Sequence, residues 1–144
     1  MLDLQICDNP DGRWLVFPND YIGRRLMLGE RWEPHVLDAV LPYLNEESVV
    51  VDGGAYIGTF SIFAAKYVKK VRALEPFSIA RKMLAINVLL NETGNIHIHA
   101  TALGENNFMD ELVLYNFDLA NVTQNLGGAA HLNCSWTLGM IRGL

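Results

Sequence analysis

Residues 48–58 read Ser48-Val49-Val50-Val51-Asp52-Gly53-Gly54-Ala55-Tyr56-Ile57-Gly58, a short β-branched run that ends in an acid followed by glycines. From Ile57 to Tyr67 the apolar positions 57, 60, 63, 64 and 67 recur at helical spacing, so the unit is strand, glycine turn, helix. Gly53, Gly54 and Gly58 let the backbone turn sharply, let it approach a ligand closely, and let the helix pack onto the sheet. Polar groups of a ligand would meet the free N–H groups at the helix start.

Outward from this unit the pattern repeats. Val71 to Leu74 is a second strand, ending in Glu75-Pro76, and Ser78 to Asn91 places Ile79, Met83, Ile86 and Leu90 on one helix face. Asn91 and Gly94 stop that helix, and Ile96 to Ala100 is a third strand. The order β-α-β-α-β, with connections of helix length, predicts an α/β fold with a parallel sheet and right-handed crossovers. Upstream, Leu2 to Cys7 and Trp14 to Phe17 flank Asp8-Asn9-Pro10-Asp11-Gly12 and predict a β-hairpin. The stripe at 36, 37, 40, 41 and 44 predicts a helix over Glu33 to Leu44, with Pro34 in its first turn. Downstream, residues 101–110 hold no helical stripe, so Leu112 to Phe117 and Ala129 to Leu132 are expected to be antiparallel strands.

Two cofactor classes use a glycine turn of this kind. The dinucleotide fingerprint needs glycines at its first, third and sixth positions, and counting from Gly53 the third is Ala55. Asp52 discriminates further, because an acid before the turn opposes a pyrophosphate and suits a ligand with a cationic end. Its bland alternative is a carboxylate that caps a helix or bonds the turn. Glu75 lies 23 residues beyond Asp52 at the end of the next strand, where a carboxylate can accept hydrogen bonds from two ribose hydroxyls. NAD and S-adenosylmethionine both carry that ribose, so Glu75 supports an adenosyl ligand without choosing between them.

VVVDGGAYIGTFS, then ALEPF, then a helix ending NVLLN, then ATALGE, taken in order, resemble the FkbM-type methyltransferases across about residues 14 to 132. Phe17-Pro18-Asn19-Asp20-Tyr21-Ile22 with Gly29-Glu30 and Glu33, and later Asn125-Leu126-Gly127-Gly128, fit the same pattern. The resemblance implies a class I methyltransferase (Rossmann-like) fold, S-adenosylmethionine as cofactor, and methyl transfer to a hydroxyl of a sugar, lipid or small metabolite. Asp52, Gly53, Gly54 and Gly58 would then surround the methionine part of the cofactor, lined by Ala55 and Tyr56. Glu75 would hold the ribose, Pro76 and Phe77 would border the adenine, and Ala102 and Leu103 would cover its other face. Tyr56 departs from the small or amide residue expected there, and its bulk either reshapes the pocket or packs against the lead-in. After Leu132 nothing resembles the family's fourth strand with its Lys-x-Asp-x-Glu-Gly-like pattern. The expectation is one partial domain, with residues 1–47 as lead-in, 48–105 as cofactor-binding core and 106–144 as antiparallel strands and tail. A truncated or frame-shifted product of this kind would expose the edge of Val49 to Val51 to a second copy or a complementing chain.

No general base can be assigned. His97 and His99 alternate on the third strand and are given packing roles, His35 and His131 are no better placed, and Asp20 or Glu33 could face the cleft. Trp14, Trp32 and Trp136 fit core or interface packing better than an acceptor floor, and Glu105 is an alternative adenine contact.

Composition bounds the partners. In 144 residues, 11 Lys+Arg stand against 16 Asp+Glu for a net charge of −5, and no basic cluster exceeds Lys69-Lys70 or Arg24-Arg25. A phosphate-tracking surface therefore has no support, and the expected acceptor is a small molecule or glycan with no nucleic acid involved. Cys7 and Cys134 show no metal-ligand spacing, so no metal site is expected. The apolar stretch 48–68 contains Asp52 and glycines, and the first residues lack a signal-peptide pattern, so a cytoplasmic protein without a membrane span is expected. Besides the methyltransferase, two readings stay open: a non-catalytic remnant that keeps the half-site, and an NAD-dependent oxidoreductase.

Overall fold

The structure is a computed structural model and describes residues 3–103. The expected hairpin forms from β1 (Gln5–Asn9) and β2 (Gly12–Val16), antiparallel with Gln5 opposite Val16. Its turn is closed by Asn9, whose Oδ1 accepts from the N–H groups of Asp11 and Gly12 at 2.9 and 3.1 Å. The hairpin seats Trp14 and Val16 in the core, both fully buried.

A seven-residue helix, α1 (Tyr21–Met27), follows, where no helix was expected. Asp20 caps it through Gly23 N–H at 3.2 Å. Only Ile22 and Leu26 supply an apolar stripe, one turn apart, and Gly23 sits between them. That glycine is needed because a Cβ would run into the Phe17 carbonyl oxygen.

The helix expected over Glu33 to Leu44 is two pieces: α2 (Pro34–Val40) and a 3₁₀ turn, Leu41–Tyr43. Pro42 explains the break. It has no N–H to continue the α-helical ladder and its ring crowds the preceding turn, so a tighter bond from Leu44 N to Leu41 O at 3.1 Å takes over.

The central unit matches its expectation: β3 (Val49–Gly53), α3 (Thr59–Ala65), β4 (Lys70–Leu74), α4 (Ser78–Leu90) and β5 (Ile96–His99). The strands pair in parallel in the order β3-β4-β5. Register aligns Val50 with Val71 and Ile96, and Asp52 with Ala73 and Ile98. Alternation puts these residues on one sheet face. That face receives Ala64 and Ala65 from α3 and Leu84 from α4. A further cluster joins Trp14, Val16, Phe17, Ile22 and Leu26 of the lead-in to Ile57, Ile62, Ala80 and Met83, so the hairpin and α1 belong to the same body.

The hairpin is fixed to α4 by two side-chain amides. Asn91 accepts from Arg13 N–H at 2.9 Å and donates to Arg13 C=O at 2.6 Å. Asn87 does the same to Leu15, accepting at 2.6 Å and donating at 3.3 Å. Positions four apart on a helix thus meet positions two apart on a strand, and the amides occupy backbone groups of β2 that another strand would otherwise pair.

The strands expected at Leu112 to Phe117 and Ala129 to Leu132, the loop Asn125 to Gly128, Glu105, His131, Cys134 and Trp136 lie outside the described residues. Among the described residues no helix is long and apolar enough to cross a membrane, and no group of His, Cys, Asp or Glu could hold a metal ion.

Candidate functional site

At the carboxyl end of β3 the chain turns back over the sheet. The N–H groups of Gly54 and Ala55 both donate to Leu74 C=O, at 2.9 and 3.1 Å, so the turn is clamped to the end of β4. Gly54, Tyr56 and Gly58 all have positive φ, at 82°, 50° and 95°. Gly58 is required twice over, since its φ is unfavourable for other residues and a Cβ would run into Leu84 Cδ1. Tyr56 holds the left-handed region as a bulky residue, which costs about 1–3 kcal/mol and persists only where surroundings enforce it.

Those surroundings are two carboxylates. Glu75, 6 % exposed, accepts from Tyr56 N–H through Oε2 and from Phe77 N–H through Oε1, each at 2.8 Å. Asp20, 1 % exposed, accepts from the Tyr56 hydroxyl at 3.1 Å while capping α1. The bulk of Tyr56 is therefore used to tie the turn to the lead-in. Burial pushes the phenol well above its ordinary pKa, and the negative charge and hydrogen bond of Asp20 push the same way.

Asp52 accepts from Ser61 Oγ at 2.5 Å, one turn into α3. Burial raises its carboxyl pKa; the Ser61 hydrogen bond opposes this, and the charge of Glu75 adds to it. Burial raises Glu75 as well, opposed by the two N–H bonds and by Arg81. Arg81 Nη1 donates to the carbonyls of Glu75 and Pro76 at 2.8 and 2.9 Å, which fixes the chain leaving β4. A carboxylate offers about four acceptor sites, so Glu75 keeps capacity for two further donors. Two acids that burial penalises, at the ends of adjacent strands, suit a ligand bringing hydroxyl donors and positive charge.

A cavity of about 580 Å³ opens beside the turn, with residues 52–56 as one wall and Trp32, Glu33, Val36, Leu37 and Val40 facing them. Gly58, Glu75, Pro76, Phe77, Ala102 and Leu103 do not line it. Leu103 instead lies on Gly53, at the point where a Cβ would meet its side chain, and Ala102 is exposed. Hydrogen bonds thus join Glu75 to the turn at Tyr56 and Asp52 to α3 at Ser61, and Ala102 stands apart. Of the tryptophans, Trp14 is core, whereas Trp32 lines the cavity and meets Tyr21 edge-on at 5.7 Å.

The placement of His99 differs from expectation. It is the last residue of β5, opposite Leu74, and its carbonyl accepts from Glu75 N–H at 3.0 Å, so it stands at the same sheet edge as the turn. Among the described residues its buried Nε2 has no hydrogen-bond partner. Ser61, Arg81 and Asn87 escaped the sequence reading. Ser61 had a weak signal, as the lone polar residue in the buried stretch Ser61–Ala65. Asn87 and Asn91 had a spacing of four residues, readable only as the end of a helix.

No family model matches this sequence, and no curated protein does. Solved structures match its fold. Trm5b from Pyrococcus abyssi aligns at 27 % identity and TM-score 0.53, over 66 % of this chain and 27 % of that one. The M. jannaschii tRNA m1G37 methyltransferase aligns at 27 % identity and TM-score 0.51, over 67 % of this chain and 30 % of its own. M. jannaschii TYW2, solved in complex with AdoMet, aligns at 25 % identity and TM-score 0.53, over 68 % of this chain and 43 % of its own. This chain therefore spans less than half the length of each. The expectation of a small-molecule or glycan acceptor with no nucleic acid is corrected by these matches, which include an enzyme named for its tRNA product. Net charge misled because it describes only a part, whereas the matched proteins extend well beyond the 27–43 % of their length aligned here and a nucleic-acid grip can reside in the remainder. The described residues carry an α/β fold with a parallel three-stranded sheet, the Rossmann-like arrangement of S-adenosylmethionine-dependent methyltransferases.

Proposed function

We propose that this chain forms the cofactor half-site of an S-adenosylmethionine-dependent methyltransferase whose acceptor is a nucleic acid. The observation that carries the reading is the pair Asp52 and Glu75, both raised in pKa by burial, at the ends of adjacent parallel strands beside a glycine turn. A cation nearby offsets the burial cost of both acids, whereas a pyrophosphate would add to it, which disfavours NAD. In this reading residues 52–56 and Gly58 surround the amino-acid end of the cofactor and Glu75 receives the ribose hydroxyls. Pro76 and Phe77 border the adenine, with Leu103 and Ala102 on its other side. The motif order shared with FkbM-type enzymes supports the same roles. The cofactor brings the electrophilic methyl group, and the chain contributes orientation and water exclusion.

The nucleic-acid acceptor is supported by the matched tRNA m1G37 methyltransferase and by the cavity wall itself. Trp32 presents an aromatic ring and Glu33 an acceptor carboxylate, a combination suited to a planar base with N–H donors. Calorimetric titration with S-adenosylhomocysteine should give a saturable isotherm that Asp52→Ala abolishes. Labelled S-adenosylmethionine should then deliver methyl to RNA in a cell extract rather than to its small-molecule fraction. Folded protein that takes up no S-adenosylhomocysteine sinks the cofactor assignment, and label confined to small molecules sinks the acceptor.

A further inference from the structure

We propose that Asn87 is a positioning residue for the cofactor turn, holding the turn's shape through the Ile57 carbonyl; this deepens, and rests on, the cofactor reading above. Asn87 is fully buried in α4, between the hairpin and the turn. Its Oδ1 accepts from Leu15 N–H, which fixes the amide's orientation and leaves two N–H donors. One goes to Leu15 C=O at 3.3 Å and the other to Ile57 C=O at 2.9 Å. Both of its N–H donors and its Oδ1 thus bond backbone, in two separate segments.

Ile57 lies between Tyr56 and Gly58, both at positive φ, and before the first residue of α3. Its carbonyl is outside the helix ladder and needs a donor from elsewhere. The Asn87 amide supplies that donor at the point where the chain inverts, and so holds the peptide between the two left-handed residues. The N–H of that same peptide, on Gly58, bonds Ala55 C=O at 2.8 Å, and just before it Tyr56 N–H reaches Glu75. A change in the Ile57 peptide would therefore move both the Glu75 contact and the cavity wall.

Asn91 provides an internal control. It makes the same pair of bonds to the hairpin, at Arg13, but its remaining contact is Asn87 C=O at 2.8 Å rather than the turn. Asn87→Asp and Asn91→Asp each keep an acceptor and lose the donors; a purely structural role predicts a larger stability loss at the fully buried Asn87 but no difference in turn exchange or ligand affinity. A positioning role predicts divergence. Both variants of the full chain should melt at lower temperature. Only Asn87→Asp should speed amide hydrogen exchange of residues 56–59 and weaken S-adenosylhomocysteine binding, by about tenfold relative to Asn91→Asp. Equal exchange and equal affinity in the two variants would overturn the proposal. Should Asn87→Asp fail to fold, Asn87→Gln, which keeps the amide on a longer arm, is read on the same two measurements. Absence of binding by the wild-type chain overturns the cofactor reading instead, and the exchange of residues 56–59 then decides the positioning role alone.

Discussion

Glu75→Gln separates what the carboxylate does for the turn from what it does for a ligand. The carboxylate receives two backbone N–H groups, one through each oxygen. A carboxamide has one oxygen, so it keeps one bond and sets its own NH₂ against the other N–H. Leaving a buried donor unsatisfied costs about 1–3 kcal/mol, and removing a charge that burial disfavours offsets part of it. A net loss of about 1 kcal/mol at neutral pH corresponds to a fall in Tm of roughly 3–6 °C for a domain of this size. The pH dependence has a definite sign. Burial raises Glu75 above the ordinary glutamate range, so the stability linked to it is fully present below the unfolded-state pKa and is lost as pH rises through the folded-state value. The variant lacks this loss, and its deficit should therefore shrink from pH 4 to pH 7.5 in urea unfolding. Affinity for S-adenosylhomocysteine should fall by roughly 10- to 100-fold, the scale of hydrogen bonds to a charged acceptor. A variant that melts with the wild type at both pH values and binds equally well would refute the reasoning, as would a deficit that widens with pH.

Asp52→Asn keeps an oxygen for the Ser61 hydroxyl and removes a charge that desolvation disfavours, so it should be at least as stable as wild type at pH 7.5, with no advantage once the wild-type carboxyl is protonated in both folded and unfolded states, while losing about tenfold or more in S-adenosylhomocysteine affinity. Lower stability at pH 7.5 in urea titration would show that the acid is held for structure instead. Tyr56→Phe removes the hydroxyl bond to Asp20 and should cost about 1 kcal/mol by the same titration; an unchanged midpoint would mean that the turn is not tied to the lead-in. Gly58→Ala, which combines unfavourable φ with contact on Leu84, should cost about 2–4 kcal/mol in calorimetric melting.

The parallel core was legible because its strands are short apolar runs bounded by an acid and glycines, and its helices carry a clear stripe. Both signals are local. α1 was invisible because Tyr21, Ile22, Leu26 and Met27 sit at its two ends with Gly23 and two arginines between, which gives no repeating stripe, and its cap at Asp20 is recognisable only once the helix is known. Pro42 was in plain view, yet the apolar spacing through Leu44 outweighed it, although a missing N–H decides where an α-helix stops. That Glu75 would stand beside the glycine turn could be read from their spacing. The partners of Asn87 could not, since Leu15 is 72 residues away and Ile57 is 30. The acceptor class was misjudged because charge was summed over residues that form only part of the matched proteins.

The two asparagine clasps on β2 change which residues are free to drift. They grip only main chain at Arg13 and Leu15, so side-chain changes there leave the clasps intact, and at Arg13 remove only the exposed cross-strand ion pair with Asp8 at 2.8 Å. Selection falls instead on the helix, where a four-residue spacing of amides must be kept, and on Gly12, where a Cβ would strike the Asn91 amide. With Trp14 and Val16 retained as inward anchors, the hairpin becomes an exchangeable part whose address is written in α4. A foreign hairpin of the same register should dock there, and relatives of this chain should preserve the socket more faithfully than the strand that fills it.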